Sequence, residues 1–552
     1  SNSVIGENCR IHRGVFLKDA IILKDTEIAE DAKVDGAIVG RNVDIGSRAV
    51  LEEGVVVGDE TQIGRDATIK PYVKIWPKKY IEEESLVSNS VIWRERWRKN
   101  IFGSYGVTGI CNVDITPQFA SALGAAYGST LGKGARISCS RDSHRASRMI
   151  YRALISGILS TGVNVSNLEM VPIPVNRYEL RSPKSQGGFH VRKSPFDRDV
   201  LDIKFFDANG MDLSSQSEKK IERIFFAEDF TRATVDDCGE LSYPIHRVAE
   251  EYKDGMLHYL NEELISTSGL KMVIDYAFGS ASQIFPSILG EFGVDAIALA
   301  AYFDESKITK DREAFDRALE QIKQIVRSIK ADFGVMLDTG GEKVFLCDER
   351  GEIINGHKAL GIMSLLSARA NPGATIAVPI KESRVIDELV KKYGGRVVRT
   401  RNSSRGIMEA ACRGDISFLG ESQGGFIFSE FMPSFDGMLS ICKLMEFLSK
   451  ERVKMSELND EVPDVNVLMN EVHCSTDQKG LVMRRIRDEA KGYDRVETLD
   501  GLKFWRGNSW VLILPDPMRP VISIYAESDT LGRSQQLLDE YRELIEKIKE
   551  KG

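Results

Sequence analysis

The sequence lacks the features that mark secreted, metal-binding and membrane proteins. Its eight cysteines include no pair with metal-ligand spacing, so we expect reduced thiols rather than disulfides or a zinc site. No apolar run approaches the roughly 18 residues that a membrane-spanning helix needs, and the first residues do not have the pattern of a signal peptide. We therefore expect a cytoplasmic protein.

An excess of positive charge is also missing. The formal net charge is −8, which argues against nucleic acid or an anionic membrane as the partner. What the chain has is the composition of an ordinary globular protein, with 42% hydrophobic and 28% charged residues over a length of 552. A chain of that length is expected to form several domains, each with its own core.

Roughly the first ninety residues repeat with a period of six. Aliphatic residues follow one another at six-residue steps, and the earlier turns slip to five residues at Ile28 and Val39. A six-residue side, made of one short strand and a turn, suits a triangular coil whose inward aliphatic residues stack along the axis. The regular positions are Ile45, Leu51, Val57, Ile63, Ile69 and Ile75, and the earlier ones are Ile5, Ile11, Leu17 and Leu23.

This pattern resembles the hexapeptide-repeat left-handed β-helix of sugar nucleotidylyltransferases and acyltransferases. We predict such a coil over residues 1–93, with an irregular β domain as the alternative, and a homo-oligomer that forms through the coil. His12 is the only histidine of the segment and lies in its less regular turns, so the sequence does not favour acyl transfer. The coil starts at residue 4 without a capping element, and we expect a partner or an upstream nucleotidylyltransferase domain to cover that end.

From Ile101 onward, apolar runs alternate with amphipathic helical segments, which predicts βαβ units and mainly parallel sheets. After Asp464 the pattern changes to a β-rich stretch over Leu502–Ser528 and a closing helix over Ser534–Lys549. The predicted strands are Ala135–Cys139, Met272–Asp275, Phe333–Leu337, Thr375–Val378, Arg396–Val398 and Ile416–Leu419, and the predicted helices are Thr116–Leu131, Ser147–Thr161 and Arg312–Ile329.

Residues Gly187–Gly210 predict two strands around a short polar loop. The first strand is expected over Gly188–Val191 and the second over Asp202–Phe206. Asn209 and Gly210 then suit a turn, because both tolerate a positive φ.

This stretch resembles the nucleophile loop of the α-D-phosphohexomutases, which include phosphoglucomutase and phosphomannomutase. The resemblance covers most of Phe102–Ile548 and implies a heart-shaped unit of four domains around a central cleft. Three α/β domains with mainly parallel four-stranded sheets would precede one α+β domain, with bounds at 101–245, 246–356, 357–460 and 461–552. Further motifs of the family have their counterparts at Phe102–Gly109, Ser140–Ser147, Val171–Pro174, Asp338–Lys343, Gly420–Gly425 and Leu514–Pro520.

The chemistry of that family requires a hydroxyl nucleophile, a divalent metal and cations that hold the distal phosphate. Aligned on Pro195, the family's phosphoserine falls on Arg192, its histidine on Lys193 and its asparagine on Ser194. A guanidinium cannot carry the phosphoryl group in this chemistry. The resemblance therefore assigns no catalytic residue and leaves Ser194 as the alternative nucleophile.

The metal and phosphate loops are altered as well. Of the three aspartates that bind magnesium in the family, Asp338 is present, Gly340 replaces the second and Glu342 replaces the third. Since magnesium prefers hard oxygen ligands in octahedral geometry, we expect no metal cofactor and a turn with a solvated Glu342. Magnesium remains the cofactor only if the mutase is active. In the phosphate loop, Pro517 lacks a backbone N–H, and Arg519 offers its charge from a different position.

The sugar loop is the least altered of the family's motifs. Glu421 keeps its place there, while Gln423 and Gly425 replace a serine and a histidine. Two family arginines elsewhere have become Thr108 and His144. The altered sites together predict fixed cations in place of a phosphoserine and a metal.

Two roles stay open for the cations of the nucleophile loop. Arg192 and Lys193 could hold the phosphate of a ligand directly. Alternatively, they are solvated or paired with Asp197 and Asp199. If the cleft is vestigial, Arg192 is instead closed to solvent and salt-bridged to a carboxylate of the metal loop, which begins at Asp338.

Three functions from different classes are consistent with the sequence. The first is a catalytically inactive mutase-like unit that binds a sugar phosphate or nucleotide sugar, in a fusion that resembles bacterial mannose-1-phosphate guanylyltransferases with a phosphomannomutase-like tail. The second is an active phosphohexomutase with unusual catalytic groups. The third is a structural scaffold assembled through the coil. The candidate ligand-binding residues are Arg192, Lys193, Glu421, Gln423 and Arg519.

Overall fold

The structure is a computed structural model that describes residues 2–87, 100–183, 185–489, 493–517 and 519–550. The chain divides into two compact units, Ser1–Ile101 with Gly109–Thr116, and Phe102–Thr108 with Pro117–Gly552. The predicted end of the coil at residue 93 lies outside the described residues. None of the described helices is long and apolar enough to cross a membrane.

The first unit consists, within the described residues, of short strands arranged in three parallel five-stranded sheets. A strand pairs with the strands three before and three after it, so three consecutive strands contribute one to each sheet. This pairing is consistent with the three-sided β-helix that the repeat predicts. The strands are Val4–Ile5 (β1), Arg10–Ile11 (β2), Phe16–Lys18 (β3), Ile21–Ile22 (β4), Glu27–Ile28 (β5), Lys33–Asp35 (β6), Ile38–Val39 (β7), Asp44–Ile45 (β8), Val50–Leu51 (β9), Val56–Val57 (β10), Gln62–Ile63 (β11), Thr68–Ile69 (β12), Lys74–Ile75 (β13), Tyr80–Ile81 (β14) and Leu86–Val87 (β15).

The register of these sheets gives the length of each turn. Val4 pairs with Ile21 and Val56 pairs with Lys74, offsets of 17 and 18 residues. Three six-residue sides give the turn of 18 residues, and two six-residue sides with one five-residue side give the turn of 17. The five-residue sides account for the slips in the sequence repeat. Non-glycine residues with φ near +60° recur at the corners, as at Asp66 (φ 58°).

The aliphatic residues of the repeat form the core of the first unit. All six positions from Ile45 to Ile75 are buried, as predicted. Ile5, Ile11 and Leu23 were predicted to point inward, but they are 49%, 38% and 37% exposed. Ile5 and Ile11 lie on β1 and β2, which are edge strands and have a paired neighbour on one side only. Leu23 follows β4, and the inward residue of that side is Ile22, which is fully buried.

The remaining strands form four sheets. The orders are β16–β17–β21–β20–β18–β19–β22, then β24–β23–β25–β26–β27, then β29–β28–β30–β31, and finally the antiparallel β32–β36–β35–β34–β33. Their bounds are Phe102–Gly103 (β16), Gly106–Ile110 (β17), Arg136–Arg141 (β18), Asn164–Asn167 (β19), Gly187–Lys193 (β20), Val200–Asp207 (β21), Leu241–Ser242 (β22), Lys271–Asp275 (β23), Asp295–Leu299 (β24), Phe333–Leu337 (β25), Val344–Asp348 (β26), Ile353–Ile354 (β27), Thr375–Pro379 (β28), Arg396–Thr400 (β29), Phe418–Gly420 (β30), Phe426–Phe428 (β31), Leu468–His473 (β32), Arg495–Glu497 (β33), Leu502–Arg506 (β34), Ser509–Pro515 (β35) and Val521–Glu527 (β36).

Helices connect the strands of the first three sheets, so the predicted multidomain α/β architecture is confirmed. The helices are Pro117–Leu131 (α1), Arg145–Leu159 (α2), Ile173–Glu179 (α3), Ser215–Ala227 (α4), Ile245–Leu257 (α5), Glu262–Ser266 (α6), Phe285–Glu291 (α7), Arg312–Ile329 (α8), Gly356–Ala370 (α9), Val385–Lys391 (α10), Ser404–Ala411 (α11), Gly437–Glu451 (α12), Met455–Glu461 (α13), Thr476–Glu489 (α14) and Leu531–Glu550 (α15), with 3₁₀ turns at Val235–Asp237 and Ser280–Gln283.

Four strands were predicted in each sheet of the three α/β domains, and this is wrong for two of the three sheets. The sheet that contains β28 has four described strands, whereas the sheet that contains β20 has seven and the sheet that contains β25 has five. The additional strands include three antiparallel ones. β21 and β26 follow the parallel strands β20 and β25 through short connections, and β27 follows β26. The alternation of strands and helices predicts the parallel core of a sheet but does not reveal these hairpin partners.

The hairpin of β20 and β21 positions the candidate site. Its antiparallel register places Arg192 opposite Asp202 and Lys193 opposite Leu201. The first strand therefore extends two residues beyond the predicted end at Val191. Arg192 and Lys193 belong to the sheet rather than to the polar loop.

Candidate functional site

Arg192 lies at the centre of the candidate site and is only 6% exposed. Its Nε donates to Oδ2 of Asp202 over 3.3 Å. The other carboxylate oxygen of Asp202 accepts a hydrogen bond from the Thr108 hydroxyl at 2.9 Å. The position that aligns with the family's phosphoserine therefore holds a cation that is fixed by a buried carboxylate.

The Asp338 turn, residues Asp338–Lys343, meets this guanidinium. Oδ1 of Asp338 accepts hydrogen bonds from the backbone N–H groups of Glu342 and Lys343, at 2.7 and 2.9 Å. Oδ2 lies 3.8 Å from Nη1 of Arg192. Burial disfavours the charged guanidinium, but Asp202 and Asp338 outweigh that effect and raise the pKa of Arg192.

Arg192 does not pair with the carboxylates of its own loop. Asp202 and Asp338 pair with it, whereas Asp197 and Asp199 were the partners expected there. An ion pair with Asp338 is the arrangement expected if the cleft is vestigial and Arg192 is closed to solvent. The role of Arg192 in holding a ligand stays a prediction.

Glu342 is buried, with 3% of its surface exposed, so the prediction of a solvated side chain is wrong. One carboxylate oxygen accepts from Nζ of Lys204 at 2.6 Å and the other from Nη2 of Arg177 at 3.0 Å. Burial alone would raise the pKa of this carboxyl, but Lys204, Arg177 and Arg192 outweigh burial and hold the pKa far below its usual range. These cations come from elements distant in the sequence.

Sequence reasoning missed Arg177 and Lys204. Arg177 also donates to Oδ1 of Asp212 at 2.7 Å and lies 4.1 Å above the Phe206 ring. Lys204 could have been found from strand alternation, because it shares one face of β21 with Asp202. Arg177 gives no local signal, since it is 165 positions away from Glu342.

The carboxylates of the Asp338 turn do not fit a divalent metal ion. Asp338 and Glu342 are already held by N–H groups and cations, and a Cβ at Gly340 would lie 3.2 Å from Nη1 of Arg192. Throughout the described residues, no three His, Cys, Asp or Glu side chains are grouped to hold an ion. Magnesium requires near-octahedral oxygen ligation, which this donor set does not offer.

Ser194, the alternative nucleophile, is buried and occupied within its own loop. Its hydroxyl accepts a hydrogen bond from the backbone N–H of Phe196 at 3.3 Å. Its carbonyl oxygen accepts from the Thr309 hydroxyl at 2.7 Å. Both contacts stabilise the conformation of the loop.

The positively charged side chain of Lys193 belongs to the last residue of β20. Its backbone N–H donates to Oδ2 of Asp142 at 2.6 Å, and its ammonium forms no ion pair with another described residue. Burial and then the charge of Lys193 lower the pKa of His144. Nδ1 of His144 accepts from the N–H of Ala146 and caps α2, so this ring is neutral. Lys193 is therefore available to an anionic ligand.

The Glu421 loop, residues Gly420–Gly425, contacts the Asp338 turn. Nζ of Lys343 donates to Oε1 of Gln423 at 3.0 Å and lies 3.1 Å from Oε1 of Glu421. The fully buried Glu382 accepts from both the backbone N–H and the hydroxyl of Ser422, at 3.1 and 3.0 Å. The loop is therefore anchored at several points, with Glu421 and Gln423 beside a cation.

Lys381 is a further cation near this loop that sequence reasoning missed. It follows β28, and its pKa is raised because Glu382 and Glu421 outweigh the opposing effect of burial. Burial raises the pKa of the Tyr525 hydroxyl, and the charges of Lys381 and Arg519 oppose that rise. Its place after a parallel strand is a signal that could have been used, since ligands of α/β sheets bind beyond the carboxyl ends of strands.

Arg519 is exposed and forms ion pairs with carboxylates in and next to the last sheet. Its guanidinium donates to Asp516 at 2.8 Å and to Glu471 at 2.6 Å. Arg192 and Arg519 are thus both engaged by carboxylates, while Lys193 is not. The contribution of Arg519 to ligand binding stays a prediction.

Family models match most of the first 465 residues of the chain. The models of phosphoglucomutase/phosphomannomutase α/β/α domains I, II and III match residues 99–232, 250–351 and 355–465. The model of the GMPPB C-terminal domain matches residues 1–92.

Curated relatives and solved structures show the same similarity. A phosphoglucomutase/phosphomannomutase of Thermococcus kodakarensis is 30% identical over 455 residues, which is 82% of this chain and 98% of the relative. A probable phosphoglucosamine mutase of Methanopyrus kandleri is 28% identical over 81% of this chain and 98% of the relative. The crystal structure of a phosphoglucomutase/phosphomannomutase family protein from Burkholderia thailandensis covers 82% of this chain and 98% of its own, with a TM-score of 0.71 at 21% identity.

Proposed function

Because the chain belongs to the phosphoglucomutase/phosphomannomutase family, we propose that it serves sugar-phosphate metabolism as a catalytically inactive member. It binds a phosphorylated sugar or a nucleotide sugar without moving the phosphoryl group. One observation carries this proposal. A buried arginine, Arg192, stands at the position of the family's phosphoserine and is paired with Asp202 and Asp338.

The site offers no replacement for the missing nucleophile. Ser194 is the nearest hydroxyl along the chain, and its oxygen accepts a hydrogen bond within its own loop. Phosphoryl transfer through the enzyme also requires positioning and charge stabilisation at the nucleophile. Here the carboxylates of Asp338 and Glu342 are neutralised by arginine and lysine side chains.

Ligand binding requires cations for the phosphate and acceptors for the sugar hydroxyls, and both are present. Lys193 and Lys381 provide charge, while Glu421 and Gln423 present carboxylate and amide oxygens beside Lys343. Lysine binds phosphate as a point charge. Arg192 and Arg519 contribute to the positive field from their carboxylate-paired positions.

Assays of turnover test the inactive state. Purified protein with magnesium should convert neither glucose 1-phosphate nor mannose 1-phosphate to the 6-phosphate above background, and mass analysis should find no phosphorylated residue. Phosphate on Ser194, together with activity that is lost in Ser194→Ala, would establish the active-mutase alternative instead.

Calorimetry tests the binding function. We expect heat of binding with at least one of mannose 1-phosphate, glucose 1-phosphate and GDP-mannose, with the same affinity in the presence of EDTA. If none of the three binds, the scaffold alternative is favoured and the binding proposal fails.

We assign the first unit to assembly of a homo-oligomer through a left-handed coil. The three parallel sheets and the similarity of residues 1–92 to the GMPPB C-terminal domain support this assignment. Light scattering of the intact protein should report a mass above that of one 552-residue chain. A monomer at all concentrations would contradict it.

The proposed domain bounds in the mutase-like part are 101–245, 246–356, 357–460 and 461–552, and the proposed location is the cytoplasm. The segments matched by the three family models support these bounds. Limited proteolysis should cut first near the proposed boundaries.

A further inference from the structure

The sheet that contains β1, β4, β7, β10 and β13 presents an apolar outer face. In all but the first of these strands the second residue is buried, so the first residue points outward. We propose that this outer face, the β1–β13 face, is the surface through which two copies of the chain bind each other. The inference rests on the proposed assembly of a homo-oligomer through the first unit, and it adds the surface and its symmetry.

The outward residues of the β1–β13 face form one continuous column. The register pairs Val4 with Ile21 and Ile21 with Ile38. It then pairs Ile38 with Val56 and Val56 with Lys74. Val4, Ile21 and Ile38 are 62%, 40% and 43% exposed, and adjacent strands lie about 4.8 Å apart. A contiguous apolar surface of this kind is typical of an interaction site.

The other two sheets of the first unit show no such column within residues 2–87. The outward column of the sheet from β2 to β14 is mostly charged or polar, and that of the sheet from β3 to β15 is interrupted by a lysine and a threonine. A single apolar face favours a closed pair of chains, because a two-fold interface uses the same surface of both copies. The outward residues are Arg10, Glu27, Asp44, Gln62 and Tyr80 in the first of these sheets, and Phe16, Lys33, Val50, Thr68 and Leu86 in the second.

Two arrangements place one β1–β13 face against another. In the antiparallel arrangement, the two-fold axis runs along the strands and reverses their order, so that β7 lies opposite β7, β4 opposite β10 and β1 opposite β13. Ile38 then meets Ile38 of the second copy, and Ile21 meets Val56. In the parallel arrangement, the axis runs along the coil, and every strand lies opposite its own copy in the reversed direction.

The charges that flank the column favour the antiparallel arrangement. Lys18 and Lys24 lie three residues before and two residues after β4, and Glu53 and Asp59 lie at the same positions relative to β10. The antiparallel arrangement therefore places both lysines opposite carboxylates of the second copy, which stabilises the pair. The parallel arrangement places Lys18 opposite Lys24 and Glu53 opposite Asp59, and like charges that face each other are unfavourable.

Side-chain sizes also match in the antiparallel arrangement. Leu23 follows β4 and is 37% exposed, and it meets Gly58, which follows β10. Trp76 follows β13 and is 55% exposed, and it meets Gly6, which follows β1. A Cβ at Gly58 would lie 2.4 Å from the backbone N of Pro77, so the coil keeps this position without a side chain. Each large side chain thus faces a glycine of the second copy.

Sedimentation of the intact chain over a range of protein concentrations tests the face. Wild type should form a dimer or a larger even-numbered assembly. Ile38→Lys should halve its mass, because the two-fold axis brings two ammonium groups together at the centre of the contact. Val50→Lys is the matched control, since Val50 is the outward residue of β9, the central strand of its own sheet, and this change should leave the mass unchanged.

Charge reversal tests the antiparallel arrangement. Lys24→Glu and Asp59→Lys should each raise the dissociation constant of the contact at least about tenfold, because each places two pairs of like charges across it. An equimolar mixture of the two variants should form a heterodimer as stable as the wild-type pair, because every facing pair then has opposite charges. Lys33→Glu, at an exposed lysine of β6 on another sheet, should have no effect.

Three results would overturn the inference, and they differ in what else they affect. A monomeric wild type would overturn the proposed assembly through the first unit as well. An oligomer that keeps its mass in a folded Ile38→Lys would overturn the β1–β13 face alone. Tighter association of Lys24→Glu would establish the parallel arrangement in place of the antiparallel one. If Ile38→Lys does not fold, Ile38→Asn and the mixing experiment decide, and an unchanged mass without a gain on mixing would overturn the face.

Discussion

At the scale of single residues, Asp436 is a buried carboxyl through which pH acts on stability. It caps α12 by accepting from the backbone N–H of Leu439 at 3.0 Å, and it accepts from the Tyr252 hydroxyl at 2.7 Å. Burial raises the pKa of Asp436 to about 6, against the effect of these hydrogen bonds. The folded protein therefore holds a proton at Asp436 that the unfolded chain releases at lower pH.

The stability contributed by the protonated carboxyl is present below the unfolded pKa, near 3.8, and is lost as the pH rises through about 6. Asp436→Asn keeps the cap and cannot ionise. Its free energy of unfolding, relative to wild type, should therefore rise between about pH 4 and 7 by up to about 3 kcal/mol. Urea unfolding over this pH range measures the difference.

A second variant checks the cause. Tyr252→Phe removes a hydrogen bond that favours the ionised carboxyl, so the folded pKa should rise and the fall in stability should continue to higher pH, while its onset near the unfolded pKa stays the same. A difference between Asp436→Asn and wild type that stays constant over the pH range would contradict the assignment.

The residues of the candidate site could be named from the sequence, but their partners could not. Arg192, Asp338 and Glu342 were identified by their places in the motifs, and the structure brings them into one charge cluster. The burial of Glu342 depends on Arg177 and Lys204, which reach it from other elements. Such long-range pairing has no signature in the local sequence.

At the scale of elements, the prediction of helices succeeds best where the local signals agree. Helix α8 has the predicted bounds Arg312–Ile329, with Asp311 as its N-cap and Lys330 in the left-handed conformation at its end. The β20 strand was predicted too short, because Arg192 and Lys193 have the composition of a loop. Their place in the sheet follows from pairing with Asp202 and Leu201.

The start of α9 supports the Glu421 loop through a close approach at Gly356. A Cβ at Gly356 would lie 1.7 Å from the carbonyl oxygen of Ser422. Gly356→Ala therefore forces the helix and the loop apart. Because overpacking of this kind costs about 1–3 kcal/mol, we expect a loss of that size in the free energy of unfolding and weaker ligand binding at the loop. Urea unfolding and calorimetry measure the two effects.

Gly480→Ala in α14 is the matched control. A Cβ at Gly480 meets no atom within 4 Å, so this change should stabilise the helix by up to ~1 kcal/mol. If the two substitutions had similar effects on stability and binding, the close approach at Gly356 would not be the cause.

At the scale of the whole molecule, periodicity predicts more than composition does. The six-residue step predicts the three-sided pairing of the first unit and the buried column from Ile45 to Ile75. It fails at Ile5 and Ile11, because a repeat in sequence does not show which turn lies at the edge of a sheet. It also fails at Leu23, because the buried residue of that side is Ile22. The multidomain α/β fold was predicted from ordered motifs, whereas the number of strands in a sheet depends on hairpins that those motifs do not include.

Because the net charge is −8, binding of a phosphorylated ligand and its salt dependence should rest on local cations. A negatively charged protein attracts such a ligand only through local cations, and Lys193 is one without a carboxylate partner among the described side chains. Lys193→Ala should weaken binding of a sugar phosphate by about 1.5–3 kcal/mol, the scale of a hydrogen bond to a charged group. Binding by wild type should weaken as salt is raised, since salt screens charges, and EDTA should leave it unchanged. Calorimetry at several salt concentrations, with the exposed Lys392→Ala as control, measures this. Equal losses in the two lysine variants, or affinity that disappears with EDTA, would show that binding does not rest on the fixed cations of the hairpin.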